Sequence, residues 1–285
     1  MKLVIRPMTS ADAEACAQVA FDAHQAVATA HNFPPEQPSL EFSRGMLDGK
    51  LQDPMAYGLV AEYDGRIVGS IFLNSFLPEI AGIGPLTVHP SAEGGPGRRL
   101  IEAALEEAHM RQCKGVRLVQ SPYHLRSLAL YAKSGFVARD PLVLMGGVLP
   151  KETIPGHAVR PAVPADLPGC CEICQHVHGI ARELELARGI EKQTAYVVER
   201  EGRIAGYASA LGLLGHAVAD STDVLKALIV AAPVVPGPGF FVPIRNGELF
   251  SWLLRQGMRC EWPATLMTLG WYEESHGVFL PAISF

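Results

Sequence analysis

The sequence has neither a long apolar segment nor an excess of positive charge, and both absences limit what the protein can be. No apolar run reaches the roughly 18 residues that a membrane-spanning helix requires, and residues 1–6 are too short for a signal peptide. We therefore expect a cytoplasmic protein with no membrane partner. Lysine and arginine number 24 against 29 aspartates and glutamates. A general nucleic-acid-binding protein needs a concentrated basic face, so we expect no nucleic-acid partner.

The six cysteines lack the pattern of a disulfide framework. Cys170, Cys171 and Cys174 cluster in a chain without secretory signals, where reduced thiols are the default. Two histidines follow within four residues, which invites a metal site. However, Cys170, Cys174 and Val177 recur at the spacing of an apolar helix face, and no second ligand pair with zinc spacing appears. We therefore expect a core helix that begins at Asp166, and no metal.

What the sequence does contain is one pattern that occurs twice. Residues 5–12 return as 159–166, residues 64–69 return as 201–206, and the spacing within 124–136 returns in 246–258. Three matches in the same order indicate a duplicated domain rather than a solenoid. The sequence therefore predicts two tandem domains, residues 1–150 and 151–285, with a linker near 149–156.

Hydrophobic periodicity and turn signals predict the elements of the first copy. We expect strands at 2–6, 56–63, 66–76, 80–88, 116–121 and 136–147, and helices at 12–30, from 40, at 97–113 and at 124–134. Hairpins early and a β-α-β unit late are typical of a mixed sheet with helices on its faces. The predicted fold class is thus α/β, in its α+β form, with a partly antiparallel sheet in each copy.

The candidate chemistry begins in a glycine-rich turn between a predicted strand and a predicted helix. Gly94, Gly95 and Gly97 allow backbone N–H groups to approach a ligand closely, and the helix N-terminus favours an anion. Arg98 and Arg99 oppose the helix dipole unless an anion lies between them. The turn therefore predicts a phosphate site, although a tight turn without a ligand uses the same residues.

The ordered set of elements and motifs resembles the GNAT acetyltransferase superfamily. Its members carry a strand ending in V-x-P, a loop of the form Q-x-x-G-x-G, a helix, a strand, and then N-x-x-A-x-x-L-Y-x-x-x-G-F. The matching residues here are Val88, Pro90, Gly95, Gly97, Ser127, Leu130, Tyr131, Gly135 and Phe136. The chain departs from this pattern in four places: Ala92 or Glu93 replaces Gln or Arg, the loop is one residue short, Pro96 brings no N–H to the loop, and His124 replaces Asn. The resemblance covers residues 3–147 and implies two tandem GNAT-like domains.

The resemblance implies acetyl-CoA as the donor substrate and a role for single residues. The strand end would lie along the pantetheine arm, and the glycine loop would hold the pyrophosphate. The implied CoA-binding residues are Leu86, Thr87, Val88, Gly94, Gly95, Gly97, Arg98, Arg99, His124, Ser127 and Tyr131. A neutral amine would attack the thioester while a backbone N–H, that of Val88, polarises the carbonyl and Tyr131 protonates the thiolate. Packing near the core is the alternative role for Tyr131.

The general base and the acceptor site are less determined by the sequence. Family members often use a carboxylate near the start of the strand that leads to Val88, which makes Glu79 the candidate base; a solvated strand end is the alternative. His31 and Phe33 lie in the helix-loop region that covers the acceptor in this family, so they are candidates for substrate binding. The acceptor class is a small-molecule or peptide amine, and a homodimer is possible.

The second copy has diverged where the chemistry would lie. A strand predicted at 211–219 runs into a turn that has no glycine and carries Asp220 and Asp223, which would repel an anion. Leu253 stands where the first copy has Tyr131. We therefore expect a degenerate second domain and an N-acetyltransferase active through the first. The alternative, favoured by Pro96 and the degenerate copy, is a non-catalytic acyl-CoA-binding sensor or scaffold.

Overall fold

The computed structural model describes residues 2–75, 79–92 and 95–284, and the chain forms two compact units. Unit 1 comprises Met1–Leu118, Pro122–Val137 and Thr268–Trp271, and unit 2 comprises Val119–Ser121, Ala138–Met267 and Tyr272–Phe285. The units therefore do not divide at residue 150, where the sequence repeat placed the boundary. The reason is strand pairing: the strand at 137–146 pairs antiparallel with the strand at 240–243, which lies in unit 2.

Unit 1 contains the elements predicted for the first copy except the last strand, with bounds shifted by a few residues. They are β1 (Leu3–Pro7), α1 (Ala13–His31), α2 (Leu40–Gln52), β2 (Ala56–Tyr63), β3 (Arg66–Asn74), β4 (Ile80–Val88), α3 (Pro96–Met110), β5 (Gly115–Gln120, shared with unit 2 at its end) and α4 (Leu125–Lys133). The strands lie in the order β1-β2-β3-β4-β5. Neighbours from β1 to β4 are antiparallel, whereas β4 and β5 are parallel. The predicted mixed sheet is thus confirmed.

Unit 2 contains the remaining elements. They are β6 (Val137–Gly146, whose first residue belongs to unit 1), β7 (Ala158–Pro161), α5 (Leu167–His178), α6 (Glu183–Glu191), β8 (Tyr196–Arg200), β9 (Arg203–Ala208), β10 (Ala217–Ala219), α7 (Thr222–Ala231), β11 (Phe240–Pro243), α8 (Gly247–Arg255), β12 (Arg259–Gly270, whose end lies in unit 1) and β13 (Val278–Leu280). One sheet has the order β13-β10-β9-β8-β7. No helix in the described part of the chain is both long and apolar enough to span a bilayer.

Two expectations for unit 2 have different outcomes. The strand predicted at 211–219 is wrong over most of its length, because Gly212, at φ +127°, accepts a turn hydrogen bond from Gly215 and only Ala217–Ala219 is extended. The predicted core helix is confirmed: α5 begins after Asp166, and Cys170 and Cys174 are fully buried. Burial raises the pKa of these thiols to about 12 and about 11, which disfavours the thiolate that a metal site needs.

A glycine in β3 explains one repeated motif. A Cβ on Gly69 would lie 2.8 Å from the carbonyl oxygen of Thr87 and 3.1 Å from Leu100 Cδ1, so α3 packs directly on the backbone of β3. In the second copy, a Cβ on the corresponding Gly206 would lie 2.6 Å from Val224 Cγ1. A larger residue at either site would force helix and sheet apart, which close-packed interiors do not tolerate. The motif D/E-G-R-I-x-G is therefore a packing motif in both copies.

A buried carboxylate near the start of α1 explains another repeated motif. The guanidinium of Arg6 donates two hydrogen bonds of 2.8 Å to Asp12 and one of 2.9 Å to Glu62. Asp12 also accepts the backbone N–H of Thr9 at 2.8 Å. The second copy has the same contacts: Arg160 to Asp166 at 2.7 and 2.8 Å, Arg160 to Glu199 at 3.1 Å, and Val163 N–H to Asp166 at 2.8 Å. Each set ties the first strand of its copy to the second strand and to the start of the following helix.

Replacing Asp12→Asn should lower the free energy of unfolding at pH 7. We expect a loss of about 1–2 kcal/mol, because charge-assisted hydrogen bonds to Arg6 weaken while solvent partly screens the one-third exposed guanidinium. Hydrogen bonds from Arg6 hold the pKa of Asp12 well below its usual range. A lowered pKa contributes stability that is complete above the ordinary value near 3.9 and is lost as the pH falls through the folded pKa. The difference between wild type and variant should therefore shrink below about pH 4.

Urea denaturation of the full chain at pH 7 and pH 3 measures this effect. Glu14→Gln is the matched control, because it removes an exposed partner of Arg44 and should change stability little at either pH. Equal losses in the two variants would show that the Arg6 contacts add nothing beyond surface charge.

Candidate active site

The site in unit 1 begins where β4 and β5 separate. They pair only from Ile80–Gly82 to Gly115–Arg117, so the later half of β4 has an edge that β5 does not cover. The N–H of His89 donates to the carbonyl of Val68 in β3 at 2.8 Å. Because N–H groups alternate in direction along a strand, those of Val88 and Leu86 face the opposite edge. In the described part of the chain, this edge of β4 beyond Gly82 therefore presents N–H groups that no strand pairs with.

Thr87, the third residue predicted along this edge, is oriented differently. It shares the N–H direction of His89, toward β3, and its Oγ1 lies 3.0 Å from Ser70 Oγ in a buried pair. The pair satisfies two hydroxyls inside the unit. Of the three predicted backbone contacts, Leu86 and Val88 thus have the required direction and Thr87 has not.

The glycine turn leads directly into α3. Gly94 lies outside the described residues, whereas Gly95 precedes the helix and Pro96 is its first residue. Proline suits that position, because the first N–H of a helix has no partner within the helix. A Cβ on Gly95 would make only ordinary contact, 3.5 Å from Tyr63 Oη, and Gly97 has its closest neighbours at 3.4 and 3.5 Å. Packing within the unit therefore does not itself demand glycine, and the turn can accept a closely approaching ligand.

Arg98 and Arg99 supply the positive charge of this turn. Both side chains are more than half exposed, and both lie near one carboxylate, that of Glu102, at 3.6 and 3.7 Å. Exposed pairs of this kind are weak. Two guanidiniums that share one carboxylate at a helix N-terminus leave a net positive potential, which suits an anion of two phosphates.

Tyr131 is buried on α4, close to the same end of β4. Its ring meets Phe136 edge-on at 6.0 Å, and the preceding residue, Leu130, reaches within 3.4 Å of the position of a Cβ on Gly97. Burial raises the pKa of the Tyr131 hydroxyl, and the charge of Glu36 raises it further. The hydroxyl therefore keeps its proton at neutral pH and is available as a hydrogen-bond and proton donor.

His124 and Ser127 lie at the start of α4. His124 is the residue before the helix, and its Nδ1 is 2.7 Å from Ser127 Oγ. Its ring is 6.0 Å from that of His31, edge to face. Burial lowers the pKa of His124, and the neighbouring His31 contributes to the shift. The neutral ring and the hydroxyl thus form a polar pair beside the predicted acceptor residues.

The predicted acceptor residues, His31 and Phe33, do come together, and they bring partners that sequence reasoning missed. Phe33 stacks on Tyr123 with ring centroids 4.1 Å apart and planes inclined by 6°, and His31 lies 5.6 Å from the same tyrosine. The Tyr123 hydroxyl donates to Glu36 at 3.1 Å. Glu36 could have been noticed as a carboxylate in the proline-rich segment that also holds Phe33. The local sequence pattern around Tyr123 gives no indication that it lies near these residues.

Glu79, the predicted base, lies elsewhere. It precedes β4, at the opposite end of that strand from Val88, and its half-exposed carboxylate pairs with Lys114 at 2.5 Å. A strand of this length spans roughly 26–30 Å. The structure thus gathers Tyr131, Val88 and the glycine turn at one end of β4 and leaves Glu79 at the other, as the solvated strand end that was its alternative. Its role as a base stays a prediction without geometric support.

The equivalent turn in unit 2 has the opposite charge and is already satisfied. Asp220 accepts a hydrogen bond from Arg200 at 2.6 Å, and Asp223 accepts one from Lys226 at 2.8 Å. Lys226 also contacts Glu248 at 2.7 Å. Leu253, at the position of Tyr131, is fully buried. This turn has no glycine to let a ligand approach its backbone, and the nearby Arg200 and Lys226 already pair with carboxylates. It is therefore a poor site for an anion.

Comparisons with known proteins concern the first copy and the fold. Residues 21–136 match the family described as acetyltransferase (GNAT) family. The streptothricin acetyltransferase of Escherichia coli is 37% identical over 90 residues, which are 31% of this chain and 51% of that protein. The match thus spans about half the length of this curated relative.

Two solved structures share the fold over nearly the whole chain. A putative acetyltransferase from Pyrococcus horikoshii superposes with a TM-score of 0.72 at 21% identity, covering 99% of this chain and 96% of that one. A tandem GNAT protein from the clavulanic acid biosynthesis pathway gives a TM-score of 0.55 at 16% identity, with 94% and 98% covered. At these identities the likeness concerns the fold alone. Residues 21–136 therefore resemble the acetyltransferase (GNAT) family, and nearly the whole chain shares its fold with a tandem GNAT protein.

Proposed function

We propose that unit 1 is an acetyl-CoA-dependent N-acetyltransferase that acts on an amine by direct attack, and that unit 2 carries no donor site. One observation carries the proposal. The uncovered edge of β4 ends at Val88, the glycine turn has Val88 and Leu130 as the closest neighbours of a Cβ on Gly97, and the buried Tyr131 follows Leu130 on α4. The GNAT match over residues 21–136 covers these three features.

The chemistry of the donor fits these features one by one. The pantetheine arm carries two amides, which can pair with an unpaired strand edge as an added strand does, and the N–H groups of Leu86 and Val88 face that edge. The pyrophosphate is an anion for the N-terminus of α3, where Arg98 and Arg99 add charge.

The transfer itself uses three groups. The nitrogen lone pair of a neutral amine attacks the thioester carbon, so that a C–N bond forms and the C–S bond breaks. The Val88 N–H stabilises the negative charge that develops on the carbonyl oxygen. Tyr131 donates its proton to the leaving sulfur and regains one from the amine nitrogen, which must lose a proton to become an amide. The products are the N-acetyl amine and CoA thiol.

The competing function, a non-catalytic acyl-CoA sensor or scaffold, shares the donor site and differs in turnover. A thiol-release assay with acetyl-CoA and a panel of small amines and peptides separates the two. Thiol release that depends on an added amine supports the enzyme. Tight CoA binding to the full chain without release, across the whole panel, would favour the sensor.

Reversing both charges at the start of α3, Arg98→Glu with Arg99→Glu, should abolish CoA binding. Two carboxylates at the helix N-terminus would repel the phosphates, and isothermal titration of the full chain with CoA measures the loss. Arg255→Glu, at an exposed position on α8, is the control and should leave the affinity unchanged. Affinity retained by the double variant would move the donor site away from α3.

Replacing Tyr131→Phe should slow turnover while leaving CoA affinity nearly unchanged. The ring and its packing on Phe136 remain, but the proton donor is lost, and general acid catalysis contributes roughly 10²–10⁴ in rate. Tyr57→Phe is the matched control. Tyr57 lies on β2 with its ring near the guanidinium of Arg111, so this variant should lose little activity. A fall in stability and CoA affinity together would assign Tyr131 to packing, and an unchanged rate when chemistry limits turnover would remove it from the mechanism.

A further inference from the structure

The uncovered edge of β4 in unit 1 has a counterpart in unit 2. Two glycines that correspond in the sequence repeat define it. Gly69 lies opposite Val88 in the β3–β4 pair, and Gly206 lies opposite Ala219 in the β9–β10 pair. Ala219 therefore stands where unit 1 has Val88, and β10 is the counterpart of the last part of β4.

Two N–H groups of β10 point away from β9. The N–H of Asp220 donates to the carbonyl of Ala205, beside β9, at 2.9 Å. Because N–H groups alternate in direction along a strand, those of Ala219 and Ala217 face the opposite edge. They correspond to the two N–H groups of β4 that the proposed function assigns to the pantetheine arm.

In unit 2 this edge is covered by another strand of the same chain. β13 runs antiparallel along β10, with Leu280 opposite Ala217 and Val278 opposite Ala219, so the carbonyls of Leu280 and Val278 accept the two N–H groups. β13 is not the counterpart of β5, which runs parallel to β4. That place in the repeat belongs to β11, the strand before α8, which pairs with β6. In the described part of unit 1, β4 has no such added strand.

Both faces of β13 are packed. Phe279 is 3% exposed, lies in one core cluster with Val177 and Val218, and meets the ring of His178 edge-on at 4.8 Å. Leu280 is 1% exposed and belongs to a different core cluster, which contains the buried face of α7. Successive side chains of a strand point to opposite faces of a sheet. β13 is therefore enclosed as an internal strand is, with a core on either side.

Backbone hydrogen bonds hold the segment before and after β13. The N–H of His276 donates to the carbonyl of Val177 at the end of α5, at 3.0 Å, and the N–H of Ile283 donates to that of Leu213 at 2.8 Å. A Cβ on Gly277 would lie 2.7 Å from Val177 Cγ2. The chain thus passes close to α5 just before it enters the groove beside β10.

We propose that residues 275–283 are an internal substitute for the donor, which rests on the donor position proposed for unit 1. The carbonyls of β13 take the two N–H groups that the amides of a pantetheine arm would take. The groove of unit 2 is therefore closed by its own chain, whatever the charge at the turn before α7. Without β13, this groove is a site for an extended diamide.

The closed groove is tested with pantetheine, which carries the two amides but no phosphate, so that the carboxylates of the turn do not repel it. Backbone hydrogen exchange of the full chain is followed residue by residue, with and without pantetheine. We expect the ligand to slow exchange at Leu86 and Val88 about tenfold, and to leave Ala217 and Ala219, protected from the outset, unchanged. Slowing at Ala217 and Ala219 in the wild type would reveal an open groove and overturn the proposal.

The groove is opened by Val278→Pro together with Leu280→Pro, which removes two N–H groups of β13 from the ladder. Exchange at Ala217 and Ala219 should become about tenfold faster or more, and pantetheine should then slow it, because the freed edge can pair with a diamide. Val234→Pro, at an exposed position outside the helices and strands of unit 2, is the control and should exchange as the wild type does. Freed amides that do not respond to pantetheine would assign β13 a structural role only and overturn the proposal.

The two proposals fail in different ways. If pantetheine slows exchange on the opened β10 but not on β4, the donor position in unit 1 is wrong and the internal substitute stands. If β4 responds and the opened β10 does not, the donor position stands and the internal substitute is rejected. Should the double proline variant fail to fold by circular dichroism, Gly277→Val replaces it, because a side chain there meets Val177 and displaces only the start of β13.

Discussion

The early divergence of β4 from β5 is the constraint on which the candidate site depends. Only three residues of β4 pair with β5, and among the described residues the later donors on that edge of β4 have no ladder partner. In a closed sheet the N–H groups of Leu86 and Val88 would be satisfied and unavailable. The same separation leaves room for the chain to turn at Gly95 and start α3 beside the end of β4. Ligand contacts and helix position thus follow from one interruption of the sheet.

The two copies separate what folding requires from what a ligand requires. Both keep the arginine that bridges the first strand to a buried aspartate, and both keep the glycine on which a helix packs. These features stabilise each copy whether or not a ligand binds. The turn differs: unit 1 has Gly95 and Gly97 without a packing need for them, whereas unit 2 has carboxylates neutralised by its own Arg200 and Lys226. A turn with no internal reason for its composition is better evidence for a ligand than glycine content alone.

Most helices and strands could be predicted because local patterns determine them, and the failures have identifiable causes. The bounds of β4 follow from an apolar run between turns, and α5 follows from its apolar face. The strand predicted at 211–219 was wrong because Gly212 and Gly215 form a turn that the apolar pattern does not reveal. The boundary at residue 150 differs from the compact units because β6 pairs with β11, more than 90 residues further along the chain. Pairing at that separation leaves no local signal.

The candidate site was predictable to the extent that a motif encodes it. Tyr131 and the glycine turn belong to a spaced pattern, so their neighbourhood could be inferred. Glu36 belongs to no such pattern, because its position depends on Gln37 being anchored from two helices. Glu79 shows the converse: a carboxylate on the right strand lies at the wrong end of it, because sequence proximity to a motif does not fix distance in an extended chain.

Positive charge is concentrated at one end of the candidate site. Arg98 and Arg99 make the N-terminus of α3 positive, which favours an anionic ligand at that part of unit 1. Tyr131 is buried and also feels the negative charge of Glu36, and both effects keep its hydroxyl protonated. Desolvation is the larger of the two effects. The proton on Tyr131 therefore follows from the burial of its side chain more than from any single neighbouring charge.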